Sequence, residues 1–347
     1  MDYGKIVSET FGIIWKEKKL WLFGIIGLSL SALSSGLYLA WYFNWYGNFL
    51  SNFMNPALLD SGDPAMIMET LMGSMGWLFG GMGFMLCASL IGYILNLVMR
   101  GGTISEADLA WEGGSVEVGR GSRSGASHGL HLFIIDLLWW VLPAVLIFGG
   151  MACGFLVMFG GIAAVESAGD EAGAVFAFMG SVFAFIGVIA CLAIVISVIQ
   201  GIFAPLMYQS SVLGKRSVGA AIKEGFSLAR NNLGPMVIFL IVMFVLNLGM
   251  QFLVQIANLP LMGGWMASWV GFIASASGGG IPQAPSPNAA LLLLGGLIVA
   301  VATLLGQSFM QTFGLTMYAR VYRTLTDEET TEAEIPELGS GDDLVVA

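Results

Sequence analysis

Long runs of apolar residues alternate with short polar segments along this chain. A transmembrane helix needs about 20 mainly apolar residues, because each residue advances the helix by about 1.5 Å. Runs of that length predict six spans, at 20–43, 76–99, 130–158, 175–203, 235–258 and 289–318. Hydrophobic residues make up 57% of the sequence and charged residues 10%. This composition indicates a membrane protein and argues against a soluble globular fold.

The positions of the positive charges predict how these spans are oriented. All 13 Lys and Arg residues fall into short clusters separated by apolar stretches that contain none. The clusters are Lys5/Lys16/Lys18/Lys19, Arg100/Arg120/Arg123, Lys215/Arg216/Lys223/Arg230 and Arg320/Arg323. Because basic loops stay on the cytoplasmic side, this spacing predicts three hairpins in a prokaryotic cytoplasmic (plasma) membrane, with both termini in the cytoplasm. The predicted outer loops are 44–75, 159–174 and 259–288.

The predicted fold is an all-α integral membrane protein with six transmembrane helices as three hairpins, and cytoplasmic amphipathic helices preceding them. Residues 1–19 are predicted to form the first amphipathic helix, because apolar residues recur there every three or four positions between lysines. Residues 20–320 form the membrane domain. The tail, 321–347, is predicted to be disordered and cytoplasmic, because eight acidic residues stand in the last 21 positions.

Residues 261–276 leave the number of spans open. This stretch is apolar and contains two Trp residues, so it is either a seventh span or an interfacial or re-entrant segment. It has only 16 residues, and a seventh span would place Arg320 and Arg323 outside. We therefore expect an interfacial or re-entrant segment.

The basic clusters also suggest a threefold internal repeat, since each of the first three precedes a predicted hairpin. Residues 115–125 align with 217–227 at a shift of 102, and both segments begin with Ser-Val. Ser217 is predicted to cap an amphipathic helix. The many Gly and Ser residues of 115–125 argue against a helix in that segment.

Two segments, AIKEGFSLARNNLGPMVIFLIVMF at 221–244 and GIIWKEKKLWLFGII at 12–26, combine a basic amphipathic turn with an apolar helix. In these segments the chain resembles a broad group of prokaryotic multi-pass membrane proteins, which includes the membrane domain that accompanies some glycerophosphodiester phosphodiesterases. The resemblance covers less than a fifth of the chain. It implies a membrane-embedded helical domain. It does not imply phosphodiesterase activity, because that chemistry belongs to a separate soluble barrel domain with no counterpart in this sequence.

Asp136 is the acidic residue that lies clearly inside a predicted span. A charge at mid-helix costs about 2.5–3.5 kcal/mol on insertion scales, so an intramembrane carboxylate is a candidate functional group. A role in proton or ion coupling is one interpretation. The alternative is structural, because Asp136 lies near the inner end of its span and could reach the interface, pair with an Arg or be protonated.

Amide side chains form polar stripes on the last two predicted spans. Asn247, Gln251 and Gln255 are spaced at i, i+4 and i+8, so they share one helix face, and Gln307 and Gln311 do the same on the sixth span. Because unpaired amides are costly in hydrocarbon, we expect both faces to point into the helix bundle. There they would form hydrogen bonds between helices or line a hydrated cavity for a solute or lipid headgroup.

The remaining patterns give little support to catalysis. His128 and His131 precede Asp136, but Asp136 is turned about 140° from His131 on the helix, so metal binding is not predicted. Gly125–Gly129 has the G-x-S-x-G form of a hydrolase nucleophile elbow around Ser127, but no predicted strand precedes it. No motif predicts a cofactor. The charge of the acidic tail argues against nucleic acid as a partner.

Three classes of function follow from these observations. We expect a non-enzymatic scaffold or accessory protein first, because no catalytic set of residues is present. A transporter or permease for a small solute or lipid, using the amide faces of the last two spans, is the alternative, and a membrane-embedded enzyme is a distant one. The expected partners are membrane lipids, with other membrane proteins or a small solute as further candidates.

Overall fold

The computed structural model of the chain describes residues 2–53, 64–166, 171–277 and 289–334, and throughout these ranges the regular structure is helical. The helices are α1 (Tyr3–Lys16), α2 (Lys19–Phe53), α3 (Pro64–Trp111), α4 (Val118–Glu166), α5 (Glu171–Val212), α6 (Val218–Asn231), α7 (Leu233–Ser277) and α8 (Ala289–Glu334). Six of them, α2 to α5, α7 and α8, are long and apolar enough to cross a membrane. The predicted all-α fold with six spans is confirmed.

The long helices continue well beyond the predicted ends of the spans. Helices α3 to α5, α7 and α8 contain 42 to 49 residues, or about 63–74 Å, which is roughly twice the thickness of the hydrocarbon layer. Most of each predicted outer loop is therefore helical, and what lies between the helices is 54–63, 167–170 and 278–288, outside the described residues. Residues 321–334 also belong to α8, whereas the sequence assigns them to a disordered tail.

Residues 261–276 do not form the separate interfacial or re-entrant segment that was expected. They continue α7, which runs without a break to Ser277 and contains Pro260. A proline removes one backbone hydrogen bond and can bend a helix without ending it. The apolar residues on both sides keep the stretch within one helix and one candidate span, Leu233–Gly271.

The short helices α1 and α6 have the predicted amphipathic character. In α6 one face is buried, and its residues are Ala221, Gly225, Leu228 and Ala229. In α1, Ile14 is buried, while Trp15 is 72% exposed beside Lys16. An exposed tryptophan next to a lysine suits the headgroup region of a membrane.

The chain divides into two compact units. The first consists of Met1–Ile6, Leu130–Ile241 and Met317–Ala347. Its core lies where α4, α5 and α6 meet, with Ile135, Met207 and Ala221 buried at the centre. A Cβ on Gly225 would lie 2.6 Å from the backbone nitrogen of Met207. Glycine at this position therefore allows α6 to approach the backbone of α5 closely.

The second unit consists of Val7–Gly129 and Val242–Thr316. Its core contains Leu20 and Phe23 of α2 with Met99 of α3. The start of α4 packs on this core through Gly121 and Gly125, and a Cβ on Gly125 would lie 2.6 Å from the backbone nitrogen of Gly102. Residues 118–125 are thus helical, although their composition argues against a helix, because small residues permit this close packing.

The two units show similar buried positions near the predicted repeat. Gly121 and Gly125 are buried at the start of α4, and Ala221 and Gly225 are buried in α6. Both pairs are separated by one helical turn and carry small side chains. The pairs differ by 100 positions, two fewer than the shift of 102 in the sequence alignment.

Candidate functional site

Polar side chains gather at the carboxyl end of α5 in the first unit. The last turns of this helix contain Gln209, Ser210 and Ser211, and all three residues are fully buried. Buried hydroxyl and amide groups are stable only when they form hydrogen bonds. The partners of Ser210, together with those of the neighbouring Tyr208, define the candidate site.

The carboxylate of Glu224 on α6 connects three separate segments. It accepts hydrogen bonds from the Ser210 hydroxyl at 2.9 Å, the Arg216 guanidinium at 3.0 Å and the Tyr322 hydroxyl at 3.0 Å. We call these four residues the Glu224 cluster. Ser210 and Tyr322 are buried, whereas the side chain of Arg216 is 58% exposed. The cluster therefore joins α5, the 213–217 connection, α6 and α8 within the first unit.

The position of Glu224 follows from the packing of α6. Gly225 is the next residue in the chain, and its close approach to Met207 brings α6 against the last turns of α5. Glu224 lies at the edge of that contact with its side chain 24% exposed. It can therefore reach the buried hydroxyl of Ser210 while keeping part of its charge in contact with solvent, which lowers the cost of desolvating it.

Asp136 belongs to the same unit and is held by the same helix end. It is buried, and its carboxylate accepts a hydrogen bond from the hydroxyl of Tyr208 on α5. Tyr208 and Ser210 are two residues apart, so their side chains leave α5 in directions about 160° apart. The end of α5 thus bonds a carboxylate of α4 through Tyr208 and a carboxylate of α6 through Ser210.

The second unit contains a comparable carboxylate. Glu106 on α3 is 1% exposed and forms two hydrogen bonds of 2.7 Å with Arg120 on α4. Glu106 also accepts a hydrogen bond from the backbone N–H of Glu117 at 2.8 Å. Arg120 donates a further hydrogen bond to the backbone oxygen of Ser115 at 2.7 Å. Paired bonds between guanidinium and carboxylate fix the relative orientation of both groups. Glu106 therefore holds the 112–117 connection against the end of α3.

The amides of α8 have two different environments. Gln311 donates a hydrogen bond of 2.8 Å to the Asn96 side chain of α3, within the second unit. This contact is the expected hydrogen bond between helices. Gln307, one turn earlier in α8, is exposed.

The amide stripe of α7 does not point into the bundle, contrary to expectation. Asn247, Gln251 and Gln255 are all exposed. The packed side of α7 is apolar, and its side chains fill gaps at glycines of α8. A Cβ on the glycine would lie 2.8–2.9 Å from the α7 side chain in each of the pairs Met243–Gly314, Met250–Gly306 and Leu261–Gly295. Met243 and Met250 lie about 80–100° round the helix from Gln251, so the amide stripe lies beside this contact and is exposed.

One known protein family covers most of the chain. Residues 110–327 match a family of unknown function, DUF7544, and this stretch is more than half of the sequence. The chain belongs to DUF7544. No curated protein and no solved structure matches it. The chain is thus a multi-pass membrane protein of unknown function.

The DUF7544 match covers the whole Glu224 cluster and Asp136, and it begins just after Glu106. It also covers 221–244, which carries the resemblance to membrane domains that accompany glycerophosphodiester phosphodiesterases. The comparisons give no link between DUF7544 and those domains. That resemblance stays a prediction.

The sequence motif around Ser127 takes a different form in this DUF7544 protein. Gly125–Gly129 lies inside helix α4, without the preceding strand of a nucleophile elbow. The Ser127 hydroxyl donates to the backbone oxygen of Ser124 at 2.7 Å, and His128 Nδ1 lies 2.9 Å from the same oxygen. Both groups therefore lie close to one carbonyl, and the Ser127 hydroxyl is also 3.1 Å from His128 Nδ1.

Within the described residues, no group of three or more His, Cys, Asp or Glu side chains is placed to hold an ion. Asp136 is bonded to a tyrosine, and Glu106 and Glu224 are bonded to arginines and hydroxyls. These arrangements use carboxylates to connect helices.

Sequence reasoning identified Asp136 but missed Glu106 and Glu224. Both lie in polar segments where a carboxylate is expected to be solvated, and their partners come from other parts of the chain. The sequence feature that could have revealed these two carboxylates is a nearby glycine on a buried helix face. Gly225 follows Glu224 directly, and a Cβ on Gly121 would lie 2.7 Å from Glu106 Cγ.

Proposed function

We propose that this DUF7544 protein is a non-enzymatic scaffold or accessory protein of the prokaryotic cytoplasmic membrane. The observation that carries the proposal is the distribution of its polar side chains. Asp136, Glu106 and Glu224 are bonded to residues of neighbouring helices, while the amides of α7 are exposed. Bonded interior carboxylates and an exposed polar surface suit a protein that acts by association.

The arrangement within each unit supports a structural use of the charged groups. A carboxylate that works in transport or catalysis must be reachable by solute, water or substrate. Glu106 is 1% exposed and already bonded by a guanidinium and a backbone N–H. A pocket between α2 and α8 in the second unit is lined by leucine, glycine and alanine side chains, such as Leu33, Gly36 and Ala300. Its apolar lining offers no binding groups for a polar solute.

The membrane orientation is part of the proposal. Lys16, Lys18 and Lys19 are exposed around the junction of α1 and α2, and basic residues of this kind remain on the cytoplasmic side. They also attract anionic lipid headgroups. Membrane lipids and other membrane proteins are therefore the proposed partners, and both termini are placed in the cytoplasm.

Co-purification tests this proposal. The full-length protein would be extracted from its native membrane in lipid nanodiscs, and everything that accompanies it would be identified by mass spectrometry. We expect a stoichiometric protein companion with the wild type and its loss with the triple variant K16Q/K18Q/K19Q. The matched variant K16R/K18R/K19R keeps the charge and should retain the companion.

Two results would overturn the scaffold proposal. One is the absence of a stoichiometric companion together with retention of a specific small solute. The other is equal recovery of the companion with the charge-neutral and the charge-conserving variants, which would remove the role of the basic cluster.

A transporter remains the second candidate because of Asp136. Its carboxylate is buried within the candidate span Val118–Gly150, where a charge is costly without a function. Coupling to protons would predict that the protein in liposomes dissipates a pH gradient, measured with an internal pH-sensitive dye, and that D136N abolishes the flux. A flux equal to that of empty liposomes supports the scaffold.

A further inference from the structure

We propose that α7 forms the interface of a homodimer, in which Asn247, Gln251 and Gln255 pair with the same residues of a second copy. The three amides lie on a single exposed stripe of a helix that is otherwise apolar. The inference goes beyond the proposed function, since a scaffold and a transporter could both be dimeric.

Helix α7 leaves most of its apolar middle stretch exposed. Only 6% of the most apolar 18-residue stretch of α7 is buried inside the protein. This is the lowest share among the six candidate spans of the described residues. Its contacts with α8 in the second unit, through residues such as Met243 and Met250, lie about 80–100° round the helix from Gln251. The amide stripe is thus left exposed beside the α8 contact.

An exposed amide is costly inside a membrane span. Each Asn or Gln side chain has two N–H donors and one carbonyl acceptor, and lipid tails offer partners to neither. The stripe lies inside the candidate span Leu233–Gly271. Another protein surface that offers both donors and acceptors would satisfy these groups.

A second copy of this chain is the partner that suits the amide stripe. Two copies in one membrane have the same orientation, so a two-fold axis along the membrane normal places each residue opposite its own counterpart at the same depth. An amide complements another amide, because each is both donor and acceptor, whereas a carboxylate or an ammonium group would repel its own copy. The uncharged composition of the stripe therefore favours a second copy of this chain.

The spacing of the amides also gives the geometry. Residues at i, i+4 and i+8 form a ridge inclined to the helix axis, and two such ridges pack with the axes crossing at about −40 to −50°. The contact is then centred on Gln251, with Asn247 and Gln255 on either side. The exposed side chains of Phe244 and Leu248 lie beside the stripe and would add apolar contact.

The test measures association of the purified full-length protein in lipid vesicles by energy transfer between labelled copies, as a function of protein density. The wild type is expected to dimerise. The triple variant N247L/Q251L/Q255L should weaken the dimer by ~20-fold, given three hydrogen-bonded pairs of ordinary strength in a membrane. The matched variant V245A/L253A changes exposed residues on another face of α7 and should dimerise like the wild type.

Crosslinking supplies a measurement that does not depend on the triple variant folding. In a background with Cys87, Cys153 and Cys191 replaced by serine, copies carrying Q251C should be joined by a short bifunctional thiol reagent, and copies carrying L253C should not. A monomeric wild type at every density would overturn the proposal. Equal association of the amide variant, or equal crosslinking at both positions, would do the same. Because the protein is tested alone, these results do not depend on finding a companion.

Discussion

Removing the carboxylate of Glu224 should destabilise the first unit, because the buried hydroxyls of Ser210 and Tyr322 lose their acceptor and are left only each other as partners. In the variant E224A, the hydroxyls of Ser210 and Tyr322 lose the acceptor to which they donate. Both residues are buried, at 0% and 4% exposure, so water cannot easily replace the carboxylate.

The magnitude follows from these two groups. A buried polar group left without a partner costs about 1–3 kcal/mol. Because one hydroxyl can still donate to the other, one is left without an acceptor, and E224A should lose about 1–3 kcal/mol. The ion pair with Arg216 adds little, because that side chain is 58% exposed and exposed pairs contribute about 0–1 kcal/mol. The matched variant R216M should therefore cost about 1 kcal/mol or less.

The assay is thermal unfolding in detergent micelles, combined with hydrogen exchange read by mass spectrometry. We expect E224A to lower the unfolding midpoint by roughly 2–6 °C, with faster exchange in α6 and in the last turn of α5. The variant E224Q keeps one carbonyl acceptor and should lie between the wild type and E224A. If R216M destabilises the protein as much as E224A, or if E224A unfolds like the wild type, the reasoning from buried hydroxyls is wrong.

Two further changes test helix packing in the separate units. G225A should destabilise the protein by about 1–3 kcal/mol in thermal unfolding, because its Cβ would lie 2.6 Å from the backbone of Met207. G219A, on the exposed face of the same helix with open space around it, should be neutral or stabilising by up to about 1 kcal/mol; equal effects of both would contradict the close approach. For the bond from Gln311 to Asn96, a double-mutant cycle with Q311L and N96L should give a coupling of about 0.6 kcal/mol, and strictly additive effects would show that the bond contributes nothing.

The spans were predictable because their signal is a sum over about 20 residues, which no single substitution obscures. The ends of the helices were not predictable in the same way. Beyond the membrane a helix continues until its backbone is capped or broken, and hydropathy carries no information about that. The predicted loop at 44–75 shows the difference, because α2 continues to Phe53 and α3 begins at Pro64.

The direction of the α7 amides shows a second limit of the sequence. The i, i+4 spacing establishes that Asn247 and Gln251 share a face, but it does not say which face packs. That choice depends on α8, where Gly306 and Gly314 leave gaps that Met250 and Met243 fill. The glycines of one helix and the methionines of its neighbour have to be considered together. The cost of an exposed amide, taken alone, predicted that the stripe points into the bundle.

The carboxylates show why the candidate site escaped sequence reasoning. Asp136 stands out because every neighbour in the chain is apolar, whereas Glu224 lies between Lys223 and Gly225 on a short polar helix. A charge in such a segment is usually solvated, and nothing local reveals that Tyr322, 98 positions away, donates to it. The glycine that follows Glu224 carries the missing information, because a residue without a side chain on a buried face lets two backbones approach, and an adjacent carboxylate then reaches groups that water does not.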